Sequence, residues 1–273
     1  MSLTRLLSRS TPVAIAHRGG SRLAPENTVP AFERAAALGV DAIECDVHLS
    51  KDGEVVVIHD ATLDRTTDAT GPVGARTAEE LSRLDAGYHF GAADGHPYRG
   101  GGAGVPRLAD VLARFEAMPF VIEIKGNRPD VAPRVLEVVR SARAESRVIV
   151  GGFSFPVLHA VRALAPDIVT SASRPEVQAA VRRAMFRLAP RRPAFRLFQM
   201  PVRRGRRLLL TPRFVRVVTR AGLPVHAWIV DDPGEMQQLL ERGVTGLISD
   251  RPDLAVAIVR AWPMVADRAD TRS

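Results

Sequence analysis

The chain is poor in cysteine, lysine and aromatic residues, and it has no long apolar run. Its single cysteine, Cys45, rules out an intrachain disulfide and fits a reducing compartment. Aromatics make up 5% of the 273 residues, so the core has to come from Leu, Val, Ile and Ala, which an apolar content of 46% supplies. No segment reaches the ~20 apolar residues of a membrane-spanning helix. The residues before the first apolar strand hold no stretch of signal-peptide length. Together these absences point to a soluble, cytoplasmic protein.

Only Lys51 and Lys125 are lysines, so 36 of the 38 basic residues are arginine. The net charge is +8 and the isoelectric point 10.9. Such a balance admits nucleic acid, an anionic small molecule or a lipid surface as partner. Twelve arginines fall between Arg182 and Arg216. They lack the interleaved aromatics of a single-strand binder and the wide apolar face of an interfacial helix. They read as a solvated face. An anionic small molecule is as plausible a partner, and no specific nucleic-acid binding is expected. A membrane surface is the minority reading, and the oligomeric state is open.

What the sequence does have is alternation. Apolar runs at 13–16, 42–47, 54–58, 120–124, 148–152, 168–172, 196–200, 224–229 and 246–249 read as strands. Amphipathic stretches at 28–38, 77–84, 107–116, 130–144, 155–164, 175–188, 212–221, 233–242 and 252–261 read as helices. Thr77 with Glu80 forms a capping box, and Pro233 after Asp232 suits a first helical turn. The linker "HLSKDGE" is too short for a parallel crossover, so 54–58 returns antiparallel as the second arm of a hairpin. Eight parallel strands remain. The spacing predicts a (β/α)8 TIM barrel with a β-hairpin after the second strand and a small insertion, about 60–106, over the barrel mouth. An open doubly wound sheet is disfavoured, since no glycine-rich dinucleotide fingerprint follows the first strand.

Barrel sites lie at strand C-termini. The first strand ends in His17-Arg18-Gly19-Gly20. In "IECDV", Glu44 and Asp46 share one face and Cys45 takes the other. In "FVIEIK", Glu123 and Lys125 share a face. Inward carboxylates repel unless a cation neutralises them, and oxygen ligands suit magnesium or calcium. A hairpin turning around Asp52 sets residues opposite when their numbers sum to about 104. That brings His59 beside Cys45, close to Glu44 and Asp46. Two histidines beside a metal suit acid-base chemistry near neutral pH. Arg18 and Lys125 suit a phosphate. The paired glycines are expected to let a substrate approach the backbone. Trp228 reads equally as an inward wall at the barrel mouth or as core packing, and Gln199 as a weaker contact. His48, His89, His96, His159 and His226 read as surface or loop residues. Asp60, Asp64 and Asp68 read as loop braces.

The blocks "HRGGSRLAPENT", "GVDAIECDVHLSKDGEVVVIHD", "VIEIK" and "GVTGLISDRPDL" resemble the glycerophosphodiester phosphodiesterase family over residues 12–260, with tails at 1–11 and 261–273. The resemblance implies a barrel that cleaves glycerophosphodiesters to glycerol 3-phosphate and an alcohol. His17 and His59 match the acid-base pair, and Glu44, Asp46 and Glu123 the ligands of one divalent metal, Mg or Ca. Arg18 and Lys125 match phosphate contacts, and Glu26 and Asn27 the PENT motif at the site. Within the family the substrate's own glycerol 2-hydroxyl attacks, giving a cyclic phosphate that water opens. Where the family carries W-T-V-N this chain has "WIVD", with Ile229 and Asp231 substituted, which bears on head-group contacts near Trp228. The alternatives are a lysophospholipase D-like lipid hydrolase and a non-catalytic barrel binding phosphorylated ligands.

Overall fold

The computed structural model describes residues 3–263. In chain order its elements are α1 (Leu3–Leu6), β1 (Val13–Ala16), α2 (Val29–Leu38), β2 (Ala42–Leu49), β3 (Val55–Val57), α3 (Ala78–Ser82), α4 (Leu108–Arg114), β4 (Phe120–Ile124), α5 (Val131–Ser141), β5 (Val148–Gly151) and α6 (Phe155–Leu164). These are followed by β6 (Val169–Thr170), α7 (Arg174–Met185), β7 (Phe198–Pro201), β8 (Arg203–Arg204), β9 (Arg207–Leu208), α8 (Pro212–Arg220), β10 (Val225–Trp228), α9 (Pro233–Glu241), β11 (Gly246–Ser249) and α10 (Pro252–Ala261). Several helices start as their sequences dictate. Thr77 and Glu80 close a reciprocal capping box on α3, and Asp232 accepts from the Glu235 amide ahead of α9.

Eight strands pair in parallel in the order β6-β5-β4-β2-β1-β11-β10-β7. Ser171, just past β6, pairs in parallel with Leu197, just before β7. The two edges therefore meet and the sheet closes into a barrel. β3 runs antiparallel to β2, with Val57 opposite Val47 and Val55 opposite Leu49.

Alternation along each strand divides the core in two. Ile43, Cys45, Val47, Phe120, Ile122, Val148 and Val150 face outward into the large cluster under the helices. Val13, Ile15, Ala42, Val121, Ile149, Leu197 and Ile248 fill the barrel interior. Leu6 of α1 joins that interior cluster, fully buried, and Arg5 is ion-paired to Asp41. The segment expected as an N-terminal tail thus stoppers one end of the barrel with a leucine. Residues 264–273, most of the expected C-terminal tail, lie outside the described residues.

His226 is not a surface or loop residue. It points into the barrel with no exposed surface, and Nε2 lies 2.9 Å from the Leu6 carbonyl. The room for its ring comes from Gly246, its partner in register on β11, where a Cβ would collide with the imidazole. Inward parity on β10 requires this placement, since Trp228 on the same face lines the barrel mouth. Two further differences are local. The stretch 175–188 stops being helical at Met185, and the arginine-rich stretch after β7 folds into the β8–β9 hairpin.

Candidate active site

The opposite end of the barrel opens into a cavity of about 360 Å³, lined by His17, Arg18, Glu44, His59, Glu123 and Lys125 among others. β1 runs straight into His17–Gly19, a single helical turn broken at Arg18, whose φ is +51°. Gly19 and Gly20 follow at φ +83° and +97°. A Cβ on Gly19 would sit 2.8 Å from Ala31 and Phe32, and one on Gly20 would sit 2.7 Å from Pro252. These glycines therefore serve close packing against α2 and α10 in a left-handed backbone, where a role in admitting substrate was expected.

Two histidines face the cavity, each held by an aspartate. His17 Nδ1 is 2.6 Å from Asp250 Oδ1, and its Nε2 lies 3.9 Å from Glu44. Burial lowers the His17 pKa, but Asp250 and Glu44 outweigh it, so the net shift is upward. Asp250 is itself fixed by Asp231, whose Oδ1 accepts from the Asp250 amide at 2.9 Å and from the Ser249 hydroxyl at 2.9 Å. His59 Nδ1 lies 2.6 Å from Asp60 Oδ1, and Arg65 donates to the other Asp60 oxygen at 2.6 Å. Burial works against ionisation of Asp60, yet Arg65 and His59 bring its carboxyl down to about 2. The hydrogen bond at each Nδ1 leaves Nε2 as the working nitrogen.

Beside His17 lies an acidic cluster. Glu44, Asp46 and Glu123 each offer an oxygen within 4.8 Å of the others. Burial, and then the Asp46 charge, push the Glu44 carboxyl up to about 8. Burial would raise Asp46 as well, but Lys125 and Arg18 hold it below the ordinary carboxylate value. Lys125 Nζ lies 2.8 Å from Asp46 Oδ1 and also pairs with Glu123. Asp46 Oδ1 nevertheless lacks a well-directed hydrogen bond. A buried carboxylate oxygen without such a bond, beside a carboxyl that resists ionising, fits a hard divalent cation held by oxygen ligands. Asn27 closes the inner side. Its amide donates to Asp46 Oδ2 at 2.9 Å, and its own oxygen accepts from the Asp46 N–H at 3.2 Å. Glu26 accepts from Arg18 at 2.9 Å and from both terminal nitrogens of Arg65 at 2.7 Å.

The family model for glycerophosphoryl diester phosphodiesterases matches residues 17–254, from the first site histidine to the start of the last helix. The chain belongs to the glycerophosphoryl diester phosphodiesterase family. A glycerophosphodiester phosphodiesterase from Caldanaerobacter subterraneus subsp. tengcongensis is 34% identical over 253 residues, 91% of this chain and 98% of the relative. The crystal structure of a glycerophosphodiester phosphodiesterase from Agrobacterium tumefaciens is 30% identical with a TM-score of 0.74, covering 90% of this chain and all of that one. An Oleispira antarctica phosphodiesterase solved with the product sn-glycerol-3-phosphate is 24% identical with a TM-score of 0.75, covering 92% of this chain and 98% of that one. At that identity it attests the fold alone.

For a member of this phosphodiesterase family, the sequence-predicted residues converge well. His17, His59, Arg18, Glu44, Glu123, Lys125 and Trp228 all border the one cavity. Asp46, Glu26 and Asn27 sit directly behind it in the hydrogen-bond network. Gln199 also lines the cavity, with its buried Nε2 unpartnered. Three residues were missed in these roles. Asp250 lies at the end of the eighth barrel strand, where a strand-end reading had the signal. Asp60 was read as a loop brace although it adjoins His59. Arg65, in the insertion, gave no signal, because nothing local ties it to Glu26 on the far side of the mouth.

Proposed function

We propose that this chain hydrolyses glycerophosphodiesters to glycerol 3-phosphate and an alcohol. One observation carries the reading: two aspartate-backed histidines share a single cavity with Glu44 and Glu123 of a three-carboxylate cluster. Glu44, Asp46 and Glu123 would hold one divalent cation, Mg or Ca. When bound, it would neutralise phosphate oxygens and the local excess of carboxylate charge. Arg18 and Lys125 orient the phosphate from the barrel wall. Glu26 and Asn27 hold Arg18 and Asp46 in register, and Trp228 walls the pocket for the rest of the substrate.

The histidines divide the proton work. One takes the proton from the glycerol 2-hydroxyl as that oxygen bonds to phosphorus. The other donates a proton to the departing alkoxide as the second phosphorus–oxygen bond breaks. Water then opens the cyclic phosphate with the two roles reversed. Segment 58–107, which carries Asp60 and Arg65 and has a small core around Leu63, Val73 and Leu81, serves as a cap braced on Glu26. The cytoplasmic location inferred from composition belongs to the same reading. Among the described residues no helix is long and apolar enough to cross a membrane.

Release of glycerol 3-phosphate from glycerophosphocholine, with and without a chelator, tests the proposal. His17→Ala and His59→Ala should each lose at least about 10²-fold. Near-wild-type turnover by both variants would make the pair structural and end this mechanism.

A further inference from the structure

The β8–β9 hairpin leaves the C-terminal end of β7, at the mouth of the barrel. Arg203 pairs with Leu208 and Arg204 with Arg207 across a turn at Gly205, whose φ is +57°. Buried Val202 and Leu210 anchor its two ends, and the Val202 carbonyl accepts from the Leu209 amide at 2.9 Å. Arg203, Arg204, Arg206 and Arg207 are all exposed. None of them meets a carboxylate among the described residues, which is also true of other exposed arginines such as Arg34, Arg143 and Arg213; what sets these apart is that four stand together on one short hairpin. Four cations on a braced two-stranded tip, with no internal counter-charge, are matched to an anion outside the molecule.

The same end of the barrel exposes large apolar side chains from other loops. Phe153 is 49% exposed and Phe155 42% after β5, and Ile229 is 41% exposed after β10. Phe153, Ile229, Arg204 and Leu209 border one cavity. Cations beside exposed hydrocarbon suit a phospholipid surface, with charges among the head groups and apolar side chains at the acyl boundary. Phe153 and Phe155 also offer stacking faces, so competition by an oligonucleotide is the outcome that separates a lipid surface from a nucleic acid.

We infer that the barrel mouth docks on an anionic lipid surface through the β8–β9 hairpin, with Phe153, Phe155 and Ile229 at the interface. The inference is independent of the phosphodiesterase reading, because docking requires no turnover.

The test is co-sedimentation of the full chain with vesicles of phosphatidylglycerol and phosphatidylcholine, and with vesicles of phosphatidylcholine alone. The protein should sediment with the anionic vesicles, less so as salt rises. Each arginine at such a surface is worth about fivefold in partitioning, so the triple variant Arg203→Gln, Arg206→Gln, Arg207→Gln should lose on the order of 10²-fold. Phe155→Ser, outside the cavity, should weaken partitioning without changing its salt dependence. Thermal melts matching wild type establish that the variants fold. The inference is overturned by failure to bind anionic vesicles, by wild-type binding of the triple variant, or by equal binding to phosphatidylcholine alone. Displacement from anionic vesicles by an oligonucleotide at sub-micromolar concentration would assign the arginines to nucleic acid and overturn it too.

Discussion

Acidification should cost the fold about 3 kcal/mol through one side chain, His226. Burial, with only the Leu6 carbonyl as partner, takes this imidazole from 6.5 down to about 4. Its other nitrogen, Nδ1, is buried with no hydrogen-bond partner among the described residues. In the unfolded chain the ring titrates near its ordinary value. Between the two values the unfolded state binds the extra proton, so stability falls as pH drops from about 6.5 to about 4 and levels off below. At about 1.4 kcal/mol per pH unit the whole displacement amounts to roughly 3 kcal/mol, of which about 2 kcal/mol is gone by pH 5. Glu44 has the opposite sign. Its folded value of about 8 exceeds the unfolded one, so in metal-free protein its contribution favours folding at low pH and fades as pH rises. The His226 contribution is therefore read as a difference. Urea unfolding of wild type and His226→Gln would be compared at intervals from pH 4 to pH 8. Gln keeps a donor for Leu6 and does not titrate. The stability gap between the two proteins should move by about 3 kcal/mol in favour of the variant as pH falls. A gap constant to within about 0.5 kcal/mol over that range would refute the burial argument.

Glu44→Gln, Asp46→Asn and Glu123→Gln should each abolish divalent-cation binding by calorimetry together with turnover, and an unchanged titration with Mg or Ca would remove that ligand from the set. Asp250→Asn should lower turnover and move the pH-rate limb belonging to His17 downward, because Asp250 is the largest influence raising that histidine; a profile with no displaced limb would reduce the contact to packing. Leu6→Ala should destabilise the fold by about 2–5 kcal/mol, as for other fully buried leucines, read from denaturant midpoints.

Period-two patterns made much of this molecule legible. The inward positions of Glu44, Asp46, Glu123 and Lys125 follow from strand parity alone. The antiparallel return of β3 has the register that the short "HLSKDGE" linker demands, with 47 opposite 57. Parity also held the answer for His226, but a histidine among apolar neighbours reads as exposed until the glycine across from it is known. Contacts between distant segments were illegible. Nothing near Arg65 announces Glu26, and nothing in the N-terminal residues announces that Leu6 enters the barrel. The arginine-rich segment was judged by its own lack of an apolar face. The exposed apolar side chains beside its hairpin come from the β5 and β10 loops, more than ten residues away in sequence on either side.

Closure between β6 and β7 has a mechanical consequence. β6 is two residues long, and the seam is held by the Ser171–Leu197 bridge with two backbone hydrogen bonds, Ala172 to Leu197 and Arg196 to Thr170, each 3.0 Å. Across the barrel, β2 and β4 stay in register over five residues. Local opening is least costly where the fewest backbone bonds must break, so amides flanking the seam should exchange with deuterium well before those of β2. Ser171, Ala172 and Gln199 on this seam also border the cavity. The wall beside the pocket is thus its compliant side: alcohols of differing bulk would be accommodated by widening the joint, while the carboxylates on β2 and β4 opposite keep their spacing.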